Sequence, residues 1–276
     1  KPLAASAEDA RAIVAAVHNA DVRSQMDTMV RSAWAEEARK ALASGRLGEL
    51  RAIHCDLLFA KGRAGTAPLG RPRREQFPPR RFTFLDSKRE LATTGVYSLA
   101  LISWLTNRRV RAVYAATANY FFAEHARNGV EDFGMVVITL EGGVTATLTA
   151  GRIGWSSDPM AGPNRVLLVG SRASLLVDAY RPRFEIYADE PPWTPPPVNP
   201  SDPMAFWKSG QREVNVEPKK AWVMPQPAAE TADVAYFLDC IEQGRESDMS
   251  VARAAEGIEV LMAAYRSAAT GQVIFL

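Results

Sequence analysis

Apolar positions recur along the chain at two spacings, and these spacings predict both helices and strands. Apolar residues three or four positions apart predict helices over residues 7–19, 28–42, 228–243 and 251–269. Elsewhere apolar and polar residues alternate, which is typical of strands with one buried face. The predicted strands cover residues 22–26, 49–60, 110–121, 132–140, 144–150, 165–169, 174–178 and 183–187.

Short turns join several of these strands and indicate their direction. Residues 141–143 (Glu-Gly-Gly) and 170–172 (Gly-Ser-Arg) are short enough for hairpins, which predicts a mostly antiparallel sheet. Threonine alternates with apolar residues over 144–150, so one sheet face is expected to pack on helices and the other to be semi-polar, as in sheets that self-associate. The pattern predicts an α+β chain (mixed α/β) with a large, mostly antiparallel sheet and helices on one face.

The stretch 91–105 combines a polar turn with an apolar helix. Thr93, Thr94 and Gly95 precede an almost continuous apolar run, and Tyr97 stands at its mouth. A polar entrance to a buried helix is a common position for catalytic residues in α/β proteins. The same residues equally describe a core helix with a threonine cap, and both interpretations stay open at this point.

Composition and charge narrow the classes of partner. The 276 residues suffice for one large domain or two small ones. The net charge of +2 indicates no nucleic-acid or membrane partner. Cys55 and Cys240 stand far apart without metal-binding spacing, which predicts buried thiols in a reducing compartment. No apolar run is long enough to span a membrane, so we predict a cytoplasmic protein.

Two stretches rich in proline interrupt the regular pattern. Residues 61–84 crowd arginines among Gly and Pro, which predicts an irregular loop, a subunit-contact arm, or a site for phosphate or carboxylate. Residues 191–203 predict an extended surface segment. The flanking Trp193 and Trp207 are expected to pack on these prolines or to stack on a sugar ring.

The inventory of reactive side chains is small. Of three histidines, only His125 is suggestive, because it lies between strands near Glu131 and Asp132. No histidine or carboxylate spacing predicts a metal site. The 276 residues also lack the glycine-rich phosphate-binding loops and the G-x-S-x-G elbow. Taken alone, the residues describe an α/β domain with a large antiparallel sheet.

The order of several motifs resembles the glucose-fructose oxidoreductase / inositol dehydrogenase / MocA-like family. Lys1-Pro2 is similar to the end of the family's E-K-P motif, and residues 6–10 to the S-x-E-D-A helix that follows it. Residues 41–53 resemble the crossover from helix to sheet, and residues 94–97 the G-V-H or G-[IV]-Y turn. Residues 237–271 resemble the closing F-L-x-x-I-x-x-G-R signature, so the resemblance covers essentially the whole chain.

This resemblance implies a domain division and an activity. Residues 1–27 would be the last helix and strand of a Rossmann-type dinucleotide-binding domain, and residues 28–276 the substrate-binding and oligomerisation domain. The parent protein would be an NAD(P)-dependent oxidoreductase acting on a sugar, polyol or related cyclic alcohol, assembled as a homodimer or homotetramer through the sheet. The chain alone would be inactive without its first domain. The alternative is a catalytically silent member or fragment that binds a ligand or mediates dimerisation.

The resemblance also implies roles for individual residues. Lys1 matches a conserved lysine that contacts the reacting hydroxyl, and Tyr97 matches the His-or-Tyr acid/base. Thr93 and Ala100 stand where many members carry aspartates, so either Lys1 and Tyr97 act as a pair without a carboxylate, or another residue such as His125 or Asp132 assists. The implied site comprises Lys1, Tyr97 and Thr93 as catalytic residues, Gly95, His125 and Asp132 as substrate-binding residues, Lys1 and Pro2 as cofactor contacts, and no metal.

Overall fold

A computed structural model describes residues 1–28, 30–59, 71–73, 89–153, 164–178, 183–188, 219–222 and 232–276. The helices are α1 (Ala7–Asn19), α2 (Ala33–Ala43), α3 (Val96–Thr106), α4 (Ala123–Arg127), α5 (Ala232–Glu242) and α6 (Val251–Thr270). The strands are β1 (Leu50–Phe59), β2 (Arg71–Arg73), β3 (Val110–Asn119), β4 (Phe133–Leu140), β5 (Thr145–Arg152), β6 (Asn164–Gly170), β7 (Ala173–Asp178), β8 (Arg183–Ala188), β9 (Lys219–Trp222) and β10 (Ile274–Phe275).

These ten strands form one sheet in the order β10-β3-β4-β5-β1-β6-β7-β8-β9, with β2 paired to β3. Strand β1 lies parallel to β5 and antiparallel to β6. The remaining pairs among the described strands are antiparallel. The predicted α+β fold with a mostly antiparallel sheet is therefore confirmed, and both short turns join hairpins as expected.

One face of the sheet and the helices above it form the main core. Ile53, Ile138, Leu148 and Leu168 are fully or almost fully buried on this face. Helix α3 is apolar on nearly every side because it packs between the sheet and helices α2 and α6. The prediction that 91–105 is a core helix is thus correct for its second half.

The opposite face of the sheet is open within the described part of the chain. Met135 is 53% exposed there, and the cross-strand partners Tyr114 and Val137 are 45% and 44% exposed. Thr147 lies next to Val137 on the adjoining strand, and its Oγ1 forms a hydrogen bond with His54 Nδ1 at 2.8 Å. Because side chains alternate across a strand, the threonine pattern does produce the expected semi-polar face.

The helix termini follow the capping residues of the sequence. Helix α1 begins as predicted, with Ser6 Oγ accepting a hydrogen bond from the Asp9 backbone N–H at 3.0 Å. Its Ala10 packs against Ala255 and Ile258 of α6. Helix α6 ends at Gly271, whose φ of 70° favours glycine. None of the helices in the described ranges is both long and apolar enough to cross a bilayer.

Some predicted elements were wrong. Residues 22–26 are not a strand: they pair with none of the described strands, and the Met26 N–H instead donates to the Met249 carbonyl oxygen at 2.9 Å. Helix α2 starts at Ala33 rather than residue 28, because Ser32 has extended backbone at the N-cap. Within residues 61–84, Arg71–Arg73 forms a short edge strand, where Pro72 is tolerated. The side chains of the arginine cluster, and the proline segment 191–203, fall outside the described residues.

Candidate functional site

The turn that opens α3 is an irregular backbone segment. Residues Leu91–Gly95 form one turn of π-helix that runs directly into α3. Such turns interrupt the regular helical hydrogen-bond ladder and are frequent at functional sites. Thr94 and Gly95 are buried within it, so packing against the neighbouring residues holds the turn in place.

Lys1 and Tyr97 are neighbours at the mouth of this turn. The Lys1 ammonium donates a hydrogen bond to the Thr93 carbonyl oxygen, and its nitrogen lies 4.2 Å from the centre of the Tyr97 ring. The second contact is a cation–π interaction. Thr93 takes part through its backbone, since its hydroxyl donates to the Arg89 carbonyl oxygen at 3.0 Å. The three residues expected to be catalytic are thus brought together.

A buried carboxylate lies immediately before the π-helical turn. Glu90 is 2% exposed. Its Oε2 accepts a hydrogen bond from the Thr94 hydroxyl at 2.9 Å, and its Oε1 accepts one from Arg152 Nε at 2.8 Å. One carboxylate therefore joins the turn to the end of strand β5.

The charges of this site influence one another. Loss of water around the Lys1 ammonium lowers its pKa, and the nearby Glu90 carboxylate opposes that decrease. Burial raises the pKa of Glu90, but the facing His125 ring and the Arg152 guanidinium outweigh burial and leave that pKa below its ordinary value of 4.5. Glu90 is therefore ionised at neutral pH and keeps the neighbourhood of Lys1 favourable for positive charge.

His125 faces the same carboxylate. It lies on the short helix α4 instead of the predicted loop, and its Nε2 is 3.7 Å from Glu90 Oε1. That nitrogen is buried and has no hydrogen-bond partner among the described residues. The His125 ring also packs on Phe122, with the ring centres 5.5 Å apart. His125 thus faces Glu90.

A second buried carboxylate fixes the start of the turn. Glu131 is fully buried and accepts hydrogen bonds from the Leu91 N–H at 3.1 Å and the Tyr265 hydroxyl at 2.6 Å. Arg89 Nη1 lies 3.2 Å from its other oxygen. Because Tyr265 belongs to α6, this network anchors the turn to the closing helix.

Asp132 does not lie at the open site, in contrast to its predicted contact with substrate. It is fully buried. Its Oδ1 accepts a hydrogen bond from the Tyr120 N–H at 2.9 Å, and its Oδ2 accepts from the N–H groups of Phe121 and Phe122 at 3.0 and 2.8 Å. The carboxylate caps the loop after β3, and this use occupies both oxygens.

Replacing Asp132 with asparagine is expected to lower the free energy of unfolding by about 2 kcal/mol, because an amide NH₂ would face a backbone donor. Urea denaturation of the variant measures the loss. Asp239→Asn, at an exposed position on α5, is the matched control and should leave stability unchanged. A folded Asp132→Asn protein with normal stability but a raised KM would instead support the substrate-binding role.

Gly95 and Pro2 complete the set of predicted residues. Gly95 is buried, and a Cβ there would lie 2.9 Å from Leu91 Cδ1 and 3.4 Å from Ala150 Cβ. The absence of a side chain at Gly95 therefore lets the turn pack closely on β5. Pro2 is partly exposed beside Lys1, and its contact with a cofactor stays a prediction.

Tyr97 also lines a cavity of about 320 Å³. It lies between α3, the segment before α2, and strands β1 and β6. Its lining is mostly apolar with a few polar groups, as is usual for small-molecule sites. The lining residues are Thr28, Val30, Ser32, Trp34, Cys55, Asp56, Leu57, Phe59, Tyr97, Ser98, Leu101, Asn164, Arg165 and Val166.

The cysteine of this cavity is unsuited to nucleophilic chemistry. Cys55 is a free, buried thiol, and burial raises its pKa to about 12. Cys240 is free and buried as well, so the prediction of two buried thiols is confirmed. The described residues hold no group of three or more His, Cys, Asp or Glu side chains arranged for a metal ion.

Several residues of the site were not identified from the sequence. The available signal for Glu90 was its position in the sequence, since it is a carboxylate that directly precedes the apolar stretch 91–105. Arg152 lies at the end of β5, 62 positions away from Glu90, and only the sheet register brings the two together. Thr28 was expected to start α2 but lines the cavity.

Comparison with known protein families identifies the chain. The family model described as GFO/IDH/MocA C-terminal domain matches residues 35–176, just over half of the 276 residues. The chain belongs to the GFO/IDH/MocA family. No curated protein sequence matches it. The family resemblance of the sequence is thereby confirmed, and the matched residues include the turn Leu91–Gly95 and strands β1 to β6.

Solved structures with the same fold cover all of this GFO/IDH/MocA chain. Aldose-aldose oxidoreductase from Caulobacter crescentus, complexed with glycerol, is 20% identical with a TM-score of 0.71, and 70% of its chain is covered. Levoglucosan dehydrogenase in complex with NADH and L-sorbose is 15% identical with a TM-score of 0.71, and 71% is covered. WlbA dehydrogenase from Bordetella pertussis, in complex with NADH and UDP-GlcNAcA, is 17% identical with a TM-score of 0.63, and 70% is covered. At these identities the likeness concerns the fold.

Proposed function

We propose that the protein is an NAD(P)-dependent oxidoreductase that acts on a sugar, a polyol or a related cyclic alcohol, and that this chain contains mainly its substrate domain. One observation carries the proposal: in a chain of this family, an ammonium lies 4.2 Å from the ring of a tyrosine that also lines a cavity. The structural neighbours bound to NADH, glycerol and L-sorbose support the same class of reaction.

In this proposal Tyr97 exchanges a proton with the reacting hydroxyl and Lys1 stabilises the negative charge that develops. The ionised phenolate accepts the hydroxyl proton during oxidation, and the phenol returns a proton during reduction. The adjacent ammonium of Lys1 lowers the energy of the ionised oxygen at that moment, without moving. The cation–π contact and the bond to the Thr93 carbonyl oxygen hold the ammonium in place.

Glu90 supplies the carboxylate that positions 93 and 100 lack. It cannot reach a substrate directly, because it is 2% exposed and bonded to Thr94 and Arg152. Its role is to fix the turn beside Tyr97 and to favour the protonated form of Lys1. Glu90 therefore acts as a positioning residue in the proposed mechanism.

A bound nicotinamide cofactor would supply the acceptor or donor of the hydride. Residues 1–27 would be the end of its binding domain, with Lys1 and Pro2 as the contacts from this chain. Since this chain covers 70% and 71% of the neighbours bound to glycerol and to NADH, the rest of the binding surface would belong to a domain outside these 276 residues. The chain by itself is then expected to be inactive.

The experiment that tests the proposal is calorimetry of the full-length protein with NAD⁺, NADH, NADP⁺ and NADPH, followed by an absorbance assay with cyclic polyols and aldoses. Saturable binding of one cofactor pair and turnover of at least one alcohol are expected. Absence of cofactor binding would reject the oxidoreductase. It would favour the second candidate, a silent member that binds a ligand or dimerises, which the Thr and Ala at positions 93 and 100 support.

We also propose that the open sheet face joins two copies of the chain. Met135, Tyr114 and Val137 expose apolar side chains on adjacent strands, and burying such a patch stabilises an interface. Val137→Glu is expected to weaken the dimer by about tenfold or more, because it places a charge in an apolar contact. Light scattering across a concentration series measures this change.

The matched control for the sheet is Val234→Glu on α5, where the original side chain is 60% exposed. It adds the same charge away from the sheet and should leave the oligomer intact. A monomeric wild-type protein at micromolar concentration, or equal effects of both variants, would contradict an interface on this face.

A further inference from the structure

The π-helical turn Leu91–Gly95 donates its first backbone hydrogen bonds to side chains that are distant in sequence. The Leu91 N–H donates to Glu131 Oε1, and the Ala92 N–H donates to the Tyr265 hydroxyl oxygen, both at 3.1 Å. The Tyr265 hydroxyl in turn donates to the same Glu131 oxygen at 2.6 Å. Because π-helical geometry is rare, we expect these bonds from outside the turn to hold its backbone in this form.

The surroundings of the Tyr265 hydroxyl are closed to water. Tyr265, Glu131 and Ala92 are all buried. In such surroundings water cannot replace a lost partner, and a backbone N–H without an acceptor is costly. If the hydroxyl were removed, the backbone at Ala92 would therefore move toward another acceptor, and the turn would change its shape.

A change in this backbone reaches the two proposed catalytic side chains directly. Thr93 follows Ala92, and its carbonyl oxygen accepts the hydrogen bond from the Lys1 ammonium, which lies over the Tyr97 ring. Tyr97 itself stands in the first turn of α3, directly after the π-helical turn. Misplacement of reacting groups by about 1 Å can cost about 10²-fold in rate, so the shape of the turn matters for proton transfer.

We infer that Tyr265 is a positioning residue: its hydroxyl, held by Glu131, keeps the π-helical turn in the form that places Lys1 beside Tyr97. Tyr265 acts through the turn, since its hydroxyl bonds to Ala92 and Glu131. This role rests on the proposed function for the reaction that is measured, and it adds a residue of the closing helix α6 to the site.

The variant that tests this role is Tyr265→Phe in the full-length protein, because it removes only the hydroxyl. Turnover is measured with whichever of D-glucose, myo-inositol and levoglucosan the wild type oxidises fastest. The kcat should fall by about tenfold or more, because Lys1 and Tyr97 lose their alignment. KM should change by less than about twofold, because the walls of the cavity beside Tyr97 stay in place.

Ser267→Ala is the matched control on the same helix. The Ser267 hydroxyl is buried, accepts a hydrogen bond from the Ala115 N–H at 2.9 Å and donates one to the Gln272 carbonyl oxygen at 2.6 Å. The control thus removes one accepted and one donated bond, as Tyr265→Phe does, but away from the turn. Its kcat should stay near the wild-type value, and an equal loss of kcat in both variants would overturn the inference.

A double-mutant cycle with Tyr97→Phe separates positioning from a general loss of structure. Once the Tyr97 hydroxyl is absent, Tyr265→Phe has no acid/base left to misplace and should lower kcat by no more than about twofold. A purely structural role would lower kcat by the same factor in both backgrounds, and that result would overturn the inference.

Hydrogen exchange measures the turn without any turnover. In Tyr265→Phe the amides of residues 89–97 should exchange about tenfold faster than in the wild type, because one of them loses its acceptor. Ser267→Ala should leave the exchange of this segment unchanged. In the wild type these amides should exchange as slowly as those of the central strands. Fast exchange there would overturn the inference even if Tyr265→Phe did not fold.

The outcomes also distinguish this role from the proposed function. Normal kcat and KM in Tyr265→Phe, measured beside an active wild type, would overturn the inference and leave the oxidoreductase intact. Faster exchange of residues 89–97 in Tyr265→Phe, in a protein that binds no nicotinamide cofactor, would uphold the control of the turn by Tyr265 and reject the oxidoreductase.

Discussion

Replacing Tyr97 with phenylalanine is expected to lower kcat of the full-length protein by about 10²-fold or more, the usual cost of losing a general acid/base. The substitution removes only the hydroxyl. The ring keeps its place on the cavity wall and its contact with the Lys1 ammonium, 4.2 Å from the ring centre. A large loss of turnover with little change in packing would therefore point to proton transfer.

Two measurements and one control variant are needed to interpret the result for Tyr97→Phe. Cofactor affinity from calorimetry and Tm from thermal unfolding are measured on the same variant, so that a loss of turnover can be separated from a loss of cofactor binding or of folding. Tyr120→Phe is the matched control, because Tyr120 is 36% exposed and packs on Phe121 and Phe133. If Tyr97→Phe turned over substrate at the wild-type rate, the acid/base role would belong to another group.

Local patterns in the sequence predicted most of the fold. Alternation placed Ile53 and Cys55 on the buried face, and Ser6 and Gly271 marked helix ends, because these signals involve residues close in sequence. The short strands Lys219–Trp222 and Ile274–Phe275 were not predicted, since two to four residues carry too little periodicity. Their pairing depends on neighbours that are distant in sequence.

Of the residues in the site, the sequence identified those that belong to a family motif. The family's turn motif identified Tyr97, and the E-K-P motif identified Lys1. Glu90 and Arg152 belong to no motif, and their contact at 2.8 Å arises from the fold. Asp132 was expected to contact substrate because it lies near a histidine in the sequence. The structure shows that its oxygens accept three backbone hydrogen bonds, and a contact with substrate stays a prediction.

Replacing Glu90 with glutamine should lower the free energy of unfolding by about 3 kcal/mol, because the substitution leaves the partly buried Arg152 guanidinium without its anionic partner. An amide also cannot accept bonds at both of its ends, so either Arg152 or Thr94 would face an NH₂ group. Urea denaturation at neutral pH measures the loss. Glu124→Gln, at an exposed position on α4, is the matched control and should have no effect.

The same variant has a distinct dependence of stability on pH. The pKa of Glu90 is lower in the folded protein than its ordinary value of 4.5. Its ionisation therefore stabilises the wild type above about pH 4.5, and this contribution disappears as the pH falls through the lower folded pKa. Glu90→Gln lacks that contribution at every pH, so the stabilities of variant and wild type should converge in acid.

The kcat of Glu90→Gln should differ from that of the wild type at the basic end of the pH range. The proposed mechanism needs a protonated Lys1, and the Glu90 carboxylate raises the Lys1 pKa against the effect of burial. Removing that charge should move the basic limb of the kcat profile to lower pH, a shift that a purely structural carboxylate would not produce. If Glu90→Gln lost stability but kept the wild-type basic limb, Glu90 would support the turn without acting on Lys1.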